Sequence, residues 1–496
     1  MYVKESPIEK GVIYTGSDDG VVSVTRDNGK SWNTITPPDL GEAIVNCIDV
    51  SPFDKATAYI ATTRYKFNDF TPSLYKTSDY GKTWKKIVNG IPDGAYTRCI
   101  REDQNRKGLL FAGTETGLYI SFNDGEQWQQ LQLGLPIVPI TDLKIHQGNL
   151  IAATMGRAFW ILDDLSVLRQ YDVAKNDQFV LLQPKETYRV SGASQLDKVY
   201  TDEDLENPLQ SSAGLNAATG LVLFYQLPAK KDSTAKYSLE IKDSKGNLVR
   251  KYASEADKDF VGGYPGGPSP DPLLPTGAGL NRFVWDLRYP PQTGVMNVFI
   301  EGGYDGHKVM PGDYTATLNA GKESKTVAIK ILADPRINGT AAEYEAQHIL
   351  QTKVEAAIVD IHISVNKMRK LNKQIADLTE QLEAGDTTAN KTIRDKAVAI
   401  TKNLSKWEEA LVQTKAQSND DIINYINKLS ADYIFLKGDL ESNIPYTTKG
   451  QEDQYQFLNN QWVGLKKQMQ ELVNNDIAEL NKLCKEKDIA KIIVGL

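Results

Sequence analysis

The side chains best suited to acid–base chemistry are carboxylates in the loops of the first third of this chain. They are Asp49, Asp69, Glu102, Asp103, Asp142, Asp163 and Asp164. Hydrolysis of a glycosidic bond requires two carboxyl groups roughly 5–9.5 Å apart across a cleft. No sequence motif pairs two of these acids, and Asp69 and Asp163 are the candidates if such a pair exists. The sequence therefore predicts no catalytic site within this chain alone.

An aromatic and polar loop at residues 64–70, RYKFNDF, is the best candidate for binding. Aromatic rings flanked by charged and amide groups suit a glycan or an extended peptide. The candidate binding residues are Arg64, Tyr65, Phe67 and Phe70, together with Arg98 and Arg157 from other loops. The alternative is structural, with Phe67 and Phe70 covering a sheet edge or packing on the C-terminal helices. The residues alone leave both interpretations open.

The four histidines, His146, His307, His348 and His362, are scattered along the sequence. His348 and His362 lie 14 residues apart on one predicted helix. At ~1.5 Å per residue they are about 21 Å apart, so they cannot share one ion. The glycine-rich run at 262–267 does not lie between a strand and a helix, so we do not expect it to bind phosphate. The sequence predicts no metal site and no cofactor.

One turn pattern occurs three times: TRDNGKSW at 25–32, TSDYGKTW at 77–84 and SFNDGEQW at 121–128. The third residue can accept hydrogen bonds from its own turn, and the glycine can adopt the positive φ that closes it. We expect structural roles for Asp27, Gly29, Trp32, Asp79, Gly81, Trp84, Asn123, Gly125 and Trp128. Trp84 is expected to supply a large apolar plate with one N–H to satisfy, and the other two copies place a tryptophan at the same position.

The spacing of these turns indicates a repeat architecture. Trp32 and Trp84 are 52 residues apart, and Trp84 and Trp128 are 44 residues apart. Periods of roughly 40–50 residues with several short strands per period are typical of β-propeller blades. A fourth unit, at 148–163, keeps its strands but lacks the turn. Residues 1–170 are therefore predicted to form a partial β-propeller of three to four blades.

Two further regions follow, so the predicted fold class is multidomain, β and then α. Residues 171–336 contain strands separated by turn signals, which predict an immunoglobulin-like β-sandwich. Residues 337–496 carry apolar stripes at helical spacing, which predict an antiparallel bundle or set of helical hairpins. One of these stripes includes Ile422, Ile426, Leu429, Tyr433 and Leu436.

Composition excludes several classes of partner. The net charge of −7 argues against nucleic acid, which requires a basic surface. No apolar run approaches the roughly 18 residues of a transmembrane segment. The first residues, MYVK, do not form a signal peptide.

Cys47 and Cys99 are either small core residues of neighbouring repeats or a disulfide pair.

The repeated turn is similar to the Asp-box (BNR repeat) of sialidase-type and sortilin-type propellers. Residues 113–119 (GTETGLY), 154–164 (TMGRAFWILDD) and 278–290 (AGLNRFVWDLRYP) resemble a large bacterial Asp-box family, described as sortilin-like or xyloglucanase-like and often named glycosyl hydrolases. The resemblance covers nearly the whole chain, which corresponds to the C-terminal portion of these relatives. Met155 departs from the pattern, because relatives commonly have His at this position. It implies an extracytoplasmic location, at the periplasm or cell surface, and further blades upstream.

The residues and the resemblance together favour a non-catalytic binding or assembly protein. Its expected partner is a protein subunit that supplies further blades, or a second copy, because three to four blades leave open sheet edges. A glycan or peptide ligand is also expected. The alternative is part of a glycoside hydrolase, xyloglucanase-like or sialidase-like, whose active site needs a missing N-terminal propeller.

Overall fold

The computed structural model describes residues 1–171, 178–190, 217–229, 236–383, 390–442 and 444–494. The chain divides into two compact units, Met1–Val173 and Ala174–Leu496. The predicted boundary at residue 170 lies close to the boundary between these units. The further separation of residues 171–336 from residues 337–496 as two domains stays a prediction, because both ranges fall within the second unit.

The first unit is a succession of four antiparallel sheets, each built from consecutive strands. The first sheet contains β1 (Tyr2–Glu5), β2 (Ile13–Gly16), β3 (Val22–Thr25) and β4 (Asn33–Thr34). The second contains β5 (Ile44–Val50), β6 (Ala58–Thr63), β7 (Leu74–Thr77) and β8 (Lys85–Lys86). The third contains β9 (Thr97–Glu102), β10 (Leu110–Thr114), β11 (Gly117–Ser121) and β12 (Gln129–Gln130). The fourth contains β13 (Ile140–His146), β14 (Asn149–Thr154) and β15 (Phe159–Leu162), and helix α1 (Ser166–Gln170) follows.

Neighbouring sheets contact each other through their first strands, which lie side by side and run in the same direction. Asn46 Nδ2 donates to the Thr97 carbonyl at 3.2 Å near the start of β5 and β9. At the other end of the same strands, the Glu102 backbone N–H donates to Asp49 Oδ2 at 2.9 Å. The sheets are therefore oriented alike, and their corresponding ends lie on the same side of the first unit. The repeated turns, β3–β4, β7–β8 and β11–β12, lie at one end, named here the turn end. The β6–β7, β10–β11 and β14–β15 connections lie at the other, named here the loop end.

The first unit contains three four-stranded sheets and a fourth sheet of three strands, which equals the number of units that the repeats predict. Their strands are short and largely buried, and β6, β10 and β11 are buried along their whole length. Strands covered on both faces are expected to be nearly continuously apolar rather than alternating. Whether these sheets form part of a propeller ring stays a prediction.

The second unit begins with two sheets that share one core. The three-stranded sheet orders β16 (Val180–Leu181), β18 (Leu221–Leu227) and β21 (Gly279–Trp285). The five-stranded sheet orders β17 (Thr187–Arg189), β23 (Glu323–Ala333), β22 (Gly312–Ala320), β19 (Tyr237–Asp243) and β20 (Leu248–Ala253). The two sheets alternate buried and exposed residues, and Leu223 and Phe283 of one share a core with Leu239 and Leu318 of the other. The immunoglobulin-like assignment stays a prediction.

The C-terminal helical region is confirmed. It contains α2 (Ala341–Glu383), α3 (Lys391–Leu411), α4 (Leu429–Ser442), α5 (Lys449–Glu471) and α6 (Ala478–Glu486). A π-helical turn, Leu472–Ile477, joins α5 to α6. At ~1.5 Å per residue the 43 residues of α2 span roughly 65 Å. Its stripe, including Ile358, Ile361 and Val365, shares one hydrophobic core with Ile400 and Leu480 of other helices.

The apolar stripe predicted through Ile422 and Ile426 is wrong at its start. Helix α4 begins only at Leu429, and the Ile426 side chain is 83% exposed. The preceding chain forms a 3-10 turn, Asn419–Ile423, which Ser418 and Asp421 cap reciprocally. That capping box satisfies backbone N–H groups at the start of this separate short turn.

Two absences hold for the described residues only. No helix there combines the length and apolar character needed to cross a membrane. Cys47, Cys99 and Cys484 are buried free thiols, so the core interpretation of Cys47 and Cys99 is correct and the disulfide alternative is not.

Candidate functional site

The acids of the repeated turns are occupied by hydrogen bonds within their own turns. Asp79 Oδ1 accepts from the Thr83 backbone N–H at 2.9 Å and from Thr77 Oγ1 at 2.8 Å, and Oδ2 accepts from Thr83 Oγ1 at 2.7 Å. Asp27 makes the same set of bonds with Ser31 and Thr25. The bonds from the Ser31 hydroxyl and backbone lower the pKa of Asp27 to about 2. A carboxylate held in this way is a poor general acid.

The degenerate third turn keeps part of this geometry. Asn123 Oδ1 accepts from the Gln127 backbone N–H at 3.0 Å, where an acid stands in the other two copies. The three turn glycines, Gly29, Gly81 and Gly125, have φ of 87°, 84° and 84°. A Cβ at Gly81 would lie 2.4 Å from Ile35 Cδ1, so this turn also approaches the preceding sheet too closely for a side chain.

The tryptophans of the second and third turns connect neighbouring sheets. Trp84 Nε1 donates to the Ile35 carbonyl at 2.6 Å, and Trp128 Nε1 donates to the Ile87 carbonyl at 2.7 Å. Ile35 and Ile87 follow the last strands of the preceding sheets. Trp128 is 2% exposed. Each of these indoles therefore anchors its sheet on the sheet before it.

The three turn tryptophans differ in their burial. Trp32 is 46% exposed, and Trp84 is only partly buried. The reason is the position of each sheet in the series. Among the described residues no sheet precedes the first, so Trp32 lacks a surface equivalent to the one that Trp128 occupies.

The candidate binding residues Tyr65 and Phe70 contact the ring of Tyr96, which precedes β9, at the loop end of the first unit, and Phe67 lies on the same loop. We name these four side chains the aromatic platform. The Tyr65 and Tyr96 rings stack with centroids 5.7 Å apart, and the Phe70 and Tyr96 centroids are 6.0 Å apart. Tyr65, Phe67 and Phe70 are 40%, 51% and 45% exposed. The platform therefore offers accessible aromatic surface.

The loop that carries the platform has a fixed backbone. A 3-10 turn, Tyr65–Phe67, ends at Asn68, which has a φ of 58°. An isolated bridge pairs Arg64 with Asp69, and the Gly94 backbone N–H donates to the Phe70 carbonyl at 3.2 Å. These bonds hold the rings without burying them, as a preformed binding surface requires.

Two of the candidate arginines flank the platform and are already paired. Arg98 Nε donates to Glu115 Oε2 at 2.7 Å, and the Arg98 guanidinium lies 5.3 Å from the Tyr96 ring centroid. Arg64 Nη1 donates to the Leu40 carbonyl at 2.9 Å, and the Arg64 guanidinium lies 5.9 Å from the Phe67 ring centroid. Their main effect is to stiffen the platform and give its rim a polar edge.

The remaining candidates are Arg157, Asp69 and Asp163, which lie on different parts of the second and fourth sheets. Arg157 is exposed on the β14–β15 turn, at the loop end of the fourth sheet. Asp69 lies at the loop end of the second sheet, where the hydroxyl and the backbone N–H of Thr71 lower its pKa. Asp163 follows β15 at the turn end of the fourth sheet. Asp69 and Asp163 therefore lie at opposite ends of their sheets and do not form a carboxylate pair.

Sequence reasoning missed Tyr96 and Glu115. The available signal was Tyr96 standing two residues before the candidate Arg98, at the start of a strand in the next repeat. It also missed that His307 and His348 are in contact, with His307 Nε2 and His348 Nδ1 2.7 Å apart. The histidines are therefore not all scattered in space. In the described ranges, no three His, Cys, Asp or Glu side chains are placed to hold a metal ion.

Comparison with known proteins gives a partial sequence match. No protein-family model matches the chain. It is 32% identical over 108 residues to "Vacuolar protein sorting/targeting protein 10" of Laccaria bicolor, a match that covers 21% of this chain and 7% of that protein. About a fifth of the chain is therefore similar to a small part of a sorting and targeting protein, and membership of the bacterial Asp-box family stays a prediction.

The solved structures compared are similar only at a low level. A structure of YCF48 bound to D1 peptide has a TM-score of 0.26 and 19% identity, covering 33% of this chain and 55% of that chain. The GH74 xyloglucanase from Xanthomonas campestris has a TM-score of 0.27 and 15% identity, covering 69% of this chain and 46% of that chain. The chain thus spans about half the length of each, and TM-scores this low carry no argument about its function.

Proposed function

We propose that this chain is a non-catalytic binding or assembly protein whose aromatic platform receives an extended segment of a protein partner. The observation that carries the proposal is the accessible ring of Tyr65 stacked on Tyr96, with the accessible ring of Phe70 beside it. Aromatic rings bury a large area at low entropic cost, and flanking polar groups orient a ligand. A role in partner recognition also agrees with the partial match to a sorting and targeting protein.

The state of the acids supports binding over hydrolysis. Asp27 and Asp79 are held in turns, and Asp69 and Asp163 lie at opposite ends of their sheets. A general acid for glycoside hydrolysis needs a raised pKa, whereas hydrogen bonds to Thr71 lower the pKa of Asp69. We place the protein outside the cytoplasm, as its family resemblance implies.

The platform can be tested with arrays of immobilised peptides and glycans. We expect the full chain to bind extended peptides, and Phe67→Ala and Tyr96→Ala each to weaken binding at least tenfold. Phe53→Ala is the matched control, because Phe53 is 38% exposed in the β5–β6 connection at the opposite end of the same sheet. This variant should bind as the unaltered chain does.

Three results would contradict this proposal. Equal loss of binding in Phe53→Ala would show that binding does not depend on the platform. Selective binding of glycans would show that the ligand is a glycan and not a peptide. Turnover of xyloglucan or a sialoside that disappears in Asp69→Asn or Asp163→Asn would establish the glycoside hydrolase alternative.

We further propose that additional sheets of the same kind cover the outer face of the first sheet. Trp84 and Trp128 show, within this chain, how a turn tryptophan seats on a neighbouring sheet, and Trp32 presents the same group with 46% of its surface exposed. The occupant would be a partner subunit that supplies blades, or a second copy of this chain.

Mass photometry of the protein from its native source should show it bound to such a partner or self-associated. Trp32→Ala should weaken the association at least tenfold without altering the far-ultraviolet circular dichroism of the chain. A monodisperse monomer in native material, or an association unaffected by Trp32→Ala, would contradict the proposal.

A further inference from the structure

A second candidate site lies in the second unit, between the sheets and helix α2. It is an open pocket of about 460 Å³ whose wall includes Tyr289, His307, His348 and Glu355. The β19–β20 hairpin contributes Asp243 and Asn247 to the same wall. None of these residues belongs to the aromatic platform or to the repeated turns.

Hydrogen bonds in this pocket fix the tautomers of two histidines. Glu355 Oε1 accepts from the His307 backbone N–H at 2.7 Å, and Oε2 lies 2.9 Å from His307 Nδ1. A carboxylate only accepts, so Nδ1 carries the proton in a neutral His307 ring, and His307 Nε2 is then an acceptor. That nitrogen lies 2.7 Å from His348 Nδ1, which must then be the donor. Nε2 of His348 is left as an acceptor without a partner among the described residues.

The rings are held in this arrangement by stacking. The Tyr289 ring centroid lies 4.5 Å from that of His307 and 5.4 Å from that of His348, with interplanar angles of 24° and 23°. His307 is 1% exposed. Burial, followed by the neighbouring His307, lowers the pKa of His348, which keeps its imidazole neutral at neutral pH. A buried chain of this kind is a preorganised acceptor rather than a mobile surface histidine.

The charge of the lining selects the class of ligand. Among the described residues that line the pocket, the acids are Asp243 and Glu355, and none is a lysine or arginine. An anion would therefore be repelled, whereas the negative charge of the acids would attract a cation, and an N–H group on that cation would suit the histidine acceptor.

We propose that this pocket binds a small organic cation that donates an N–H hydrogen bond to Nε2 of His348. His307 and Glu355 act as positioning residues, because they fix the tautomer and the orientation of His348. Asp243 contributes charge from the hairpin, and the site is independent of the function proposed for the first unit.

Three four-carbon compounds test the ligand class in calorimetric titrations of the full chain. We expect 1,4-diaminobutane to bind, 1,4-butanediol to bind at least tenfold more weakly, and succinate not to bind measurably. His348→Phe keeps an aromatic ring beside Tyr289 but removes the acceptor, and should weaken diamine binding at least tenfold. His146→Phe, at an exposed histidine of the first unit, is the matched control and should not change it.

Asp243→Asn provides a second variant should His348→Phe fail to fold. It keeps an oxygen acceptor for the Lys245 and Asn247 backbone N–H groups that close the hairpin, while removing the charge. We expect at least fivefold weaker diamine binding. The proposal is overturned if the diamine does not bind, if butanediol or succinate binds as tightly, or if neither variant weakens the diamine.

Discussion

Replacing Trp128 by alanine should lower the free energy of unfolding of the first unit by about 3–5 kcal/mol, the range for truncation of a large buried aromatic. Trp128 is 2% exposed, and its indole N–H donates to the Ile87 carbonyl of the preceding sheet at 2.7 Å. The substitution therefore removes both a large apolar contact and the only intersheet bond that this side chain makes among the described residues. Losing them together should loosen the packing of the third sheet on the second, although other bonds such as that from the Glu102 backbone N–H to Asp49 remain.

Hydrogen exchange measured by mass spectrometry is suited to this test, because it reports on peptides from β9–β12 separately from the rest of the chain. Trp32→Ala is the matched control. Trp32 holds the same place in its turn but is 46% exposed, so we expect a change within about 0.5 kcal/mol for the isolated chain. Equal destabilisation by the two substitutions would mean that the turn, rather than the intersheet contact, determines the effect.

Acidification should destabilise the second unit through His362. This side chain is fully buried, with Nδ1 2.6 Å from the Thr293 carbonyl and Nε2 2.5 Å from Ser430 Oγ. A carbonyl only accepts, so Nδ1 carries the proton of the neutral ring. Burial lowers the pKa of His362 from 6.5 to about 4, and the bond to the Thr293 carbonyl opposes this shift only in part.

The sign of the pH effect follows from the order of the two pKa values. Above about pH 6.5 His362 is neutral in both states, and the folded state keeps its full stability. Between about pH 6.5 and pH 4 the unfolded chain binds the proton while the folded protein does not, so stability falls as the pH falls. A shift of the His362 pKa from 6.5 to about 4 corresponds to a loss of roughly 3 kcal/mol in the free energy of unfolding.

Urea unfolding at pH 7.5, 6, 5 and 4.5 measures this effect. The signal at 222 nm reports mainly on helices α2–α6. His362→Gln removes the titration and should flatten the pH dependence over this range, although its stability at pH 7.5 will be lower. His146→Gln, at an exposed histidine, should leave the pH dependence unchanged. A His362→Gln variant that loses stability with acid as steeply as the unaltered chain would assign the effect to other groups, including His348, whose pKa is also lowered.

The sequence by itself determined the features that depend on neighbours along the chain. The repeated turns are set by an acid, a hydroxyl residue and a glycine within eight positions, so their local hydrogen bonds follow from the residues. Strands of the first unit and helices such as α2 follow from the same kind of short-range pattern, because periods of 2 and 3.6 are properties of the backbone itself. The aromatic loop was identified because its rings lie within six residues of one another in the sequence.

Only the tertiary structure decided what lies against each of these elements. The turn pattern of Trp32 equals that of Trp84 and resembles that of Trp128, yet their exposure differs because a neighbouring sheet covers one tryptophan and not another. Tyr96 joins the aromatic platform from the next sheet. His307 is brought to His348 and Glu355 from 41 and 48 residues away. Such contacts depend on how apolar faces pack over long separations, and no local residue preference encodes that geometry.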